Sequence, residues 1–312
     1  MLILKGHTGP VMSVSWSPQG QRIASGSSDH SVLIWNRKGI QAMKYEGHSD
    51  TVTAVSWSPN GKYIASASKD IHVWNVWSGE KKLQIGHSES IHSVCWSPSG
   101  DKIVSGSANG MIHVWDSETG RQLWEEDLYD SVLSVSWSPL GDKIVSSSEN
   151  SGIIVSNSEG NMVGYMKNTT HPRNRVSRRY RHIISRPVAV SSVTWSPDGQ
   201  FVLSGSWDRT VRIWNVNGEL VQMFYLSDKV SSVSWSPDGD KIVSGTYDSK
   251  IYVHNVKSGQ LIDTFKIASG PVYSVSVSSD GSKIVAGTAD NTLRVLNMPF
   301  DDFMDSDVSL RF

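Results

Sequence analysis

Residues 232–245 read SVSWSPDGDKIVSG, and near copies stand at 93–106 (SVCWSPSGDKIVSG) and 134–147 (SVSWSPLGDKIVSS). Aligned on its tryptophan, the phrase recurs at Trp16, Trp57, Trp96, Trp137, Trp195 and Trp235, with Val277 of SVSVSSDG at a seventh place. The spacings are 41, 39, 41, 58, 40 and 42 residues. A period of about 40 marks an array of one supersecondary unit, each copy burying its faces against its neighbours. Length alone, 312 residues, points to about two domains. The repeat overrules that prior.

Within the first unit VMSVSW reads as a short strand, and Ser17, Pro18 and Gly20 take the first, second and fourth places of a type I turn. RIASGS and SVLIW follow as second and third strands with Asp29 between them, and IQAMKY is a fourth. Each unit is therefore a four-stranded antiparallel meander that cannot bury both faces alone. A ring of such units leaves no open stack end.

The unit resembles a WD40 repeat. Gly6-His7, Gly47-His48 and Gly86-His87 precede first strands, and Trp35-Asn36, Trp74-Asn75 and Trp115-Asp116 end the matching third strands. The resemblance covers residues 1–298 and implies an all-β, seven-bladed propeller. The chain opens on a fourth-strand segment, MLILK, and its last unit stops after a third strand, Thr292 to Asn297. In the family the N-terminal strand completes the final blade, which protects a sheet edge. A long basic insertion, about 168–187, is expected between blades 4 and 5, and residues 299–312 are expected to form a flexible acidic tail.

The resemblance also implies a hydrogen-bonded His, Ser, Asp and Trp network in each blade. His7, Ser25, Asp29 and Trp35 fill those places in the first unit, and His48, Ser66, Asp70 and Trp74 in the second. His87, Ser105 and Trp115 fill them in the third, with Asn109 for the acid. Three residues separate Asp70 from Trp74, against five in the first unit, so the second unit has a shortened turn. Leu128, Arg186, Leu226 and Ala268 stand in the histidine column of later units, and Ser156 replaces the third-strand tryptophan of the fourth. Blades 4 and 7 are therefore expected to be the weaker ones.

A Ser-His-Asp set raises the question of hydrolysis, but its partial recurrence blade after blade, without an oxyanion motif, reads as scaffold. G-x-S-x-G, G-x-x-x-x-G-K and H-E-x-x-H are all missing from the sequence. The single cysteine, Cys95, excludes an internal disulfide and any site needing two thiolates. No catalysis, cofactor or metal is expected. Of the 13 tryptophans, ten fall in the repeat's columns, so packing rather than ligand binding explains them; Trp77, Trp124 and Trp207 fall outside.

The net charge of -1 supplies no global field toward nucleic acid or an anionic membrane. No window reaches the roughly 18 apolar residues of a membrane span, and MLILKGH carries no basic leader. The expectation is a soluble, unsecreted protein, cytoplasmic or nuclear, without a membrane partner.

Function then lies where the copies differ. In the family, the loops before first strands and between second and third strands share one rim, the top. Most blades carry small or neutral residues there, such as Pro10, Thr51, Ser90, Ser131 and Ala189. Trp207 and Tyr247 precede their turn aspartates, Lys229 lies six before Trp235, and Tyr273 lies four before Val277. With Arg209 they form an aromatic and basic sector, the composition of interface anchors. The insertion adds Arg173, Arg175, Arg178, Arg179, Arg181 and Arg186, with no acid between Glu159 and Asp198. It reads as a solvated loop, as a dock for an acidic or phosphorylated protein segment, or as an RNA contact.

The reading is a non-catalytic scaffold that binds proteins or peptide segments through its top rim, as a monomer or a subunit of a larger complex. Two alternatives are an RNA-associated assembly factor using the arginine loop and a ubiquitin-ligase substrate receptor. The latter rests on residues 35–38, WNRK, which resemble the family's W-D-x-R with two substitutions.

Overall fold

The computed structural model describes residues 1–150, 152–167, 188–267 and 269–299, and among these there is no helix. Seven four-stranded sheets form, each in meander order. Strand β1 is Leu2–Lys5, and blade 1 consists of β2 (Val11–Trp16), β3 (Arg22–Ser27), β4 (Val32–Asn36) and β5 (Gln41–Tyr45). Blades 2 to 6 repeat the pattern over residues 54–86, 91–127, 132–166, 190–225 and 230–266. The last blade contains β26 (Val272–Val277), β27 (Lys283–Thr288) and β28 (Thr292–Asn297).

The ring closes as the sequence predicts. Strand β1 pairs antiparallel with β28, with Leu4 opposite Leu293. Leu4 packs among Val11, Trp16, Leu293 and Val295, so the two ends of the chain share one piece of core. First strands of successive blades touch one another, and β2 touches β26.

The repeated SVSW has a structural cause visible only across blades. The serine three before each tryptophan accepts a hydrogen bond from the valine N–H of the next blade. Val55 donates to Ser13 at 3.1 Å, Val135 to Ser93 at 3.1 Å, Val193 to Ser134 at 3.2 Å, Val233 to Ser192 at 3.2 Å and Val275 to Ser232 at 3.1 Å. Val14 donates to Ser274 at 3.1 Å and closes the circle. First strands lie side by side around the channel without a shared ladder, and the hydroxyls satisfy their inner N–H groups. The seam between blades 2 and 3 differs, because Ala54 holds the serine's place; there Trp96 N–H donates to Ser56 Oγ at 3.2 Å.

Close approach of blades also explains the glycine of VSG. A Cβ on Gly106 would lie 2.4 Å from Val132 Cγ1, and one on Gly245 would lie 2.7 Å from Val272 Cγ1. The S-P-x-G turn is closed by Gly20 N–H donating to Ser17 O at 2.8 Å, with Gly20 at φ 66°.

The surplus of the 58-residue spacing falls between Met166 and Val190. Residues 168–187 of it, with Arg173, Arg175, Arg178, Arg179, Arg181 and Arg186, lie outside the described residues, as do Ala268 and the acidic tail from 300 onward. Trp77 and Trp124, outside the repeat's columns, are both placed. The Arg22 guanidinium lies 3.7 Å over the exposed Trp77 ring, and Trp124 donates from Nε1 to Ser158 O of blade 4 at 3.0 Å.

Candidate functional site

The Ser-His-Asp sets form inside the blades. In blade 1 His7 bonds Ser25 Oγ through Nε2 at 2.8 Å and Asp29 through Nδ1 at 2.9 Å, while Trp35 Nε1 donates to Ser25 Oγ at 2.9 Å. Burial lowers the pKa of His7, so the ring is neutral at neutral pH. Since the Asp29 carboxylate only accepts, Nδ1 carries the proton and Nε2 accepts from Ser25. Burial pushes the Asp29 pKa up, but bonds from Ser31, the Thr8 N–H and His7 outweigh it and hold the carboxyl well below its usual range. The Ser25 hydroxyl is fully buried among His7, Trp35 and the Leu33 carbonyl, an arrangement that ties loop to strands rather than presenting a nucleophile.

Blade 2, with its shortened turn, keeps the histidine–serine–tryptophan part of this network, but His48 Nδ1 has no hydrogen-bond partner. His48 Nε2 bonds Ser66 Oγ at 2.7 Å, Trp74 Nε1 donates to Ser66 at 3.1 Å, and His48 Nδ1 stands 3.5 Å from Asp70 Oδ1. In blade 3, His87 reaches Ser105 at 3.3 Å and Trp115 donates to Ser105 at 2.9 Å, while Asn109 turns to Ser88.

In blades 5 and 7, which lack the column's histidine, the residue two before the third-strand tryptophan place takes over. Arg212 binds Asp208 at 2.7 Å in blade 5, and Arg294 binds Asp290 at 2.8 Å in blade 7. Blade 7 thus has a substitute network that the sequence reading did not anticipate. In blade 4, Ser156 Oγ donates to Glu126 of blade 3 at 2.7 Å.

On the top rim, four of the five sector residues come together as two pairs across neighbouring blades. Lys229 Nζ lies 5.3 Å from the centroid of the half-buried Trp207 ring, within cation–π range. Tyr247 and Tyr273 meet edge to face at 6.3 Å. The Tyr247 N–H donates to Lys229 O at 3.1 Å and links the pairs into one surface. Tyr273 is aimed there by a register shift between Val272 and Ser274, a bulge that turns one side chain out of the ladder. Burial, with Tyr273 alongside, raises the Tyr247 pKa, so the phenol stays protonated at neutral pH. Arg209 is exposed at φ 71° in the same loop as Trp207, and its guanidinium makes no ion pair with a described residue.

The sector carries both signs of charge, and Asp228 beside Lys229 accepts the Lys229 backbone N–H at 2.8 Å. Asp208 is neutralised by Arg212, and Asp248 by Lys250 at 2.6 Å. Among the described residues, Lys229 and Arg209 are left as cations without an acidic partner.

The same two columns carry His92 and Glu149 on blades 3 and 4, which sequence reasoning missed. Burial lowers the His92 pKa, and the Glu149 charge opposes that shift. Counting four before Trp96 and one before Asn150 finds both residues in the sequence. On the opposite rim a cleft of about 490 Å³ lies between blades 5 and 6 beside Asp198 and Asp238. Each carboxylate there already closes its own turn, accepting from Ser196 at 2.6 Å and from Ser236 at 2.5 Å.

Similarity to known proteins agrees with this architecture. The family described as WD domain, G-beta repeat matches residues 1–36, 39–75, 80–116, 178–215, 218–255 and 259–297. The unmatched stretch includes blade 4, whose sheet forms nonetheless. A small ribosomal subunit protein RACK1 from Caenorhabditis elegans is 48% identical over 42 residues, 14% of this chain and 13% of that protein. A protein HIRA from Takifugu rubripes is 49% identical over 41 residues, 13% of this chain and 4% of its own. A guanine nucleotide-binding protein subunit beta from Nicotiana tabacum is 50% identical over 34 residues, 11% of this chain and 9% of its own. Each alignment spans about one repeat, so the chain covers only a small part of these relatives. Six matched repeats spread over most of the sequence, folded into seven blades, make this chain a member of the WD40 family.

Proposed function

We propose that this protein is a non-catalytic docking platform that grips an acidic segment of a partner protein on the top rim of blades 5 to 7. The observation that carries the reading is the linked surface of Trp207, Lys229, Tyr247 and Tyr273, with Lys229 and Arg209 as its cations. Aromatic faces supply contact area at low entropic cost, and the cations favour carboxylates or phosphates. One relative is named as a protein of the small ribosomal subunit and another as a subunit of a guanine nucleotide-binding protein, which agrees with work inside an assembly. A rigid ring suits that task because its loops are held at fixed angles.

A peptide array of acidic, phosphorylated and basic sequences tests this, probed with the wild-type chain and a Trp207→Ala/Lys229→Ala/Tyr247→Ala variant. Acidic or phosphorylated peptides retained by the wild type and lost by the variant, at equal thermal stability, are the expected outcome. Equal retention by both proteins removes the sector, and retention of basic peptides alone reverses the assigned partner chemistry.

A further inference from the structure

On the rim opposite the top, blades 1 and 2 differ in charge from the rest of the ring. Each blade makes its S-P-x-G turn, or the S-S-D-G of blade 7, on that rim, and in blades 3 to 7 the turn or the residue after it is an aspartate: Asp101, Asp142, Asp198, Asp238 and Asp280. Blades 1 and 2 carry Gln19, Gln21, Asn60 and Lys62 in those places. The hairpins between third and fourth strands add Arg37 and Lys38 in blade 1 and Trp77 in blade 2. Glu80 is the one acid in these turns and hairpins.

These residues form one surface across the two blades. Trp77 is 65% exposed, and the Arg22 guanidinium lies 3.7 Å from its centroid. Lys62 O accepts from the Val76 N–H at 3.0 Å, which sets the lysine beside the Trp77 hairpin. Gln19 fills the gap between the two turns so closely that a Cβ on Gly61 would collide with it. Arg22 stands opposite Asn36 in the ladder, next to Arg37 and Lys38. Arg37 is spent on Asp280 of blade 7 at 2.5 Å, whereas Arg22, Lys38 and Lys62 form no ion pair with a described residue. An open indole ringed by unpaired cations suits a segment that mixes acids with apolar side chains.

Such a segment begins next to this surface. The Met298 N–H donates to Ser282 O at 2.9 Å, and Arg37 donates to Ser282 Oγ at 3.3 Å, so the chain passes beyond its last strand beside the blade 1 hairpin. Residues 300–312, FDDFMDSDVSLRF, lie outside the described residues. They carry Asp301, Asp302, Asp305 and Asp307 against the single cation Arg311, with Phe303 and Met304 between the acid pairs. Thirteen residues reach roughly 40 Å when extended. The contacts from Ser282 through Arg37, Asn36 and Arg22 to Trp77 cross a single blade.

We propose that residues 300–312 dock in cis on the sector formed by Arg22, Lys38, Lys62 and Trp77. The aspartates meet the cations, and the apolar residues between them cover the indole. Exposed ion pairs are individually weak, but attachment to the same chain holds the segment at a high effective concentration, which makes a few of them sufficient. The docked segment closes this rim to other acidic partners and leaves the top rim open.

The test uses the full chain with a nitroxide attached at Ser309→Cys. Burial raises the pKa of the Cys95 thiol, which confines labelling to the tail. Proton–nitrogen spectra follow the indole N–H of Trp77, assigned with Trp77→Phe, against that of Trp207 on the top rim. Loss of the Trp77 signal with retention of the Trp207 signal is expected at low salt, and the Trp77 signal should return at high salt. Replacing all four tail aspartates with asparagine should also restore it. An undiminished Trp77 signal overturns the proposal, as does equal loss at both indoles. Loss at Trp207 alone overturns it too, and assigns the tail to the top-rim sector. The same loss at Trp77 when nitroxide-bearing chains are mixed with separate isotope-labelled chains assigns the occupant to a second copy and overturns docking in cis.

Discussion

Single side chains decide how a blade holds its turn aspartate, and in blades 5 and 7 the deciding position is two before the third-strand tryptophan place. Arg212 and Asp208 are each 4% exposed at the side chain and pair at 2.7 Å, so removing the cation strands a carboxylate away from water. Arg212→Ala is expected to cost on the order of 3 kcal/mol in urea denaturation, and a loss under about 1 kcal/mol would show that Asp208 rehydrates freely. Titration gives a second outcome at this scale. His254, in the tryptophan place of blade 6, is buried and leans on Phe224 at 4.5 Å; burial lowers its pKa to about 4. The unfolded chain protonates such a histidine near pH 6.5 and the folded chain only near its lowered pKa. Stability from the neutral ring is therefore complete above about pH 6.5 and declines as pH falls toward about 4, by at most about 3 kcal/mol. His254→Phe should flatten that part of the stability curve; an unchanged slope would place the acid sensitivity in other groups. The tryptophan and aspartate columns were legible in the sequence, but the substitute role of Arg212 and Arg294 was not, because it depends on a partner four residues back across a turn whose shape had to be seen.

At the level of strands, the serine seam is the feature that answers for the repeated phrase. Six seams have a serine hydroxyl accepting from the next blade's valine N–H, and the seventh has Ala54 in that place. Ala54→Ser restores the missing acceptor toward the Val94 N–H. It is expected to raise stability by about 0.5–1 kcal/mol, measured by chemical denaturation. A destabilised variant would mean that the seam between blades 2 and 3 is already closed more tightly than the others. The sequence displayed SVSW plainly, yet its purpose was hidden, since donor and acceptor stand about one repeat apart and become neighbours only in the ring. The bulge that aims Tyr273 is a strand-level feature of the same kind: the column was countable, the direction of its side chain was not.

For the whole molecule the critical contact is the one between its ends. Leu4 is 2% exposed within the core shared by blades 7 and 1, and β1 covers the outer edge of β28. Leu4→Ala is expected to cost about 3 kcal/mol. Deleting residues 1–5 should cost more and promote association, because it bares a strand edge. Thermal unfolding together with light scattering measures both effects. A deletion variant that melts like the wild type and stays monodisperse would mean the ring does not depend on this closure. The proposed docking surface belongs to the same scale, since Trp207, Lys229, Tyr247 and Tyr273 come from three blades and are contiguous only once those blades are fixed side by side.

The sequence by itself determined the unit, its strands and turns and the seven copies, because these follow from local periodicity and from a phrase repeated in phase, while the resemblance to WD40 repeats implied the propeller and its closure by the first strand. Tertiary structure alone decided which copies' differences meet: the cation over Trp207, the arginine that replaces a lost histidine, and the Arg22 guanidinium over Trp77 of the next blade. The physical reason is distance along the chain. Strand and turn preferences act over a few residues, whereas these contacts join residues from different strands, loops or blades, and their geometry is fixed by how the folded blades pack.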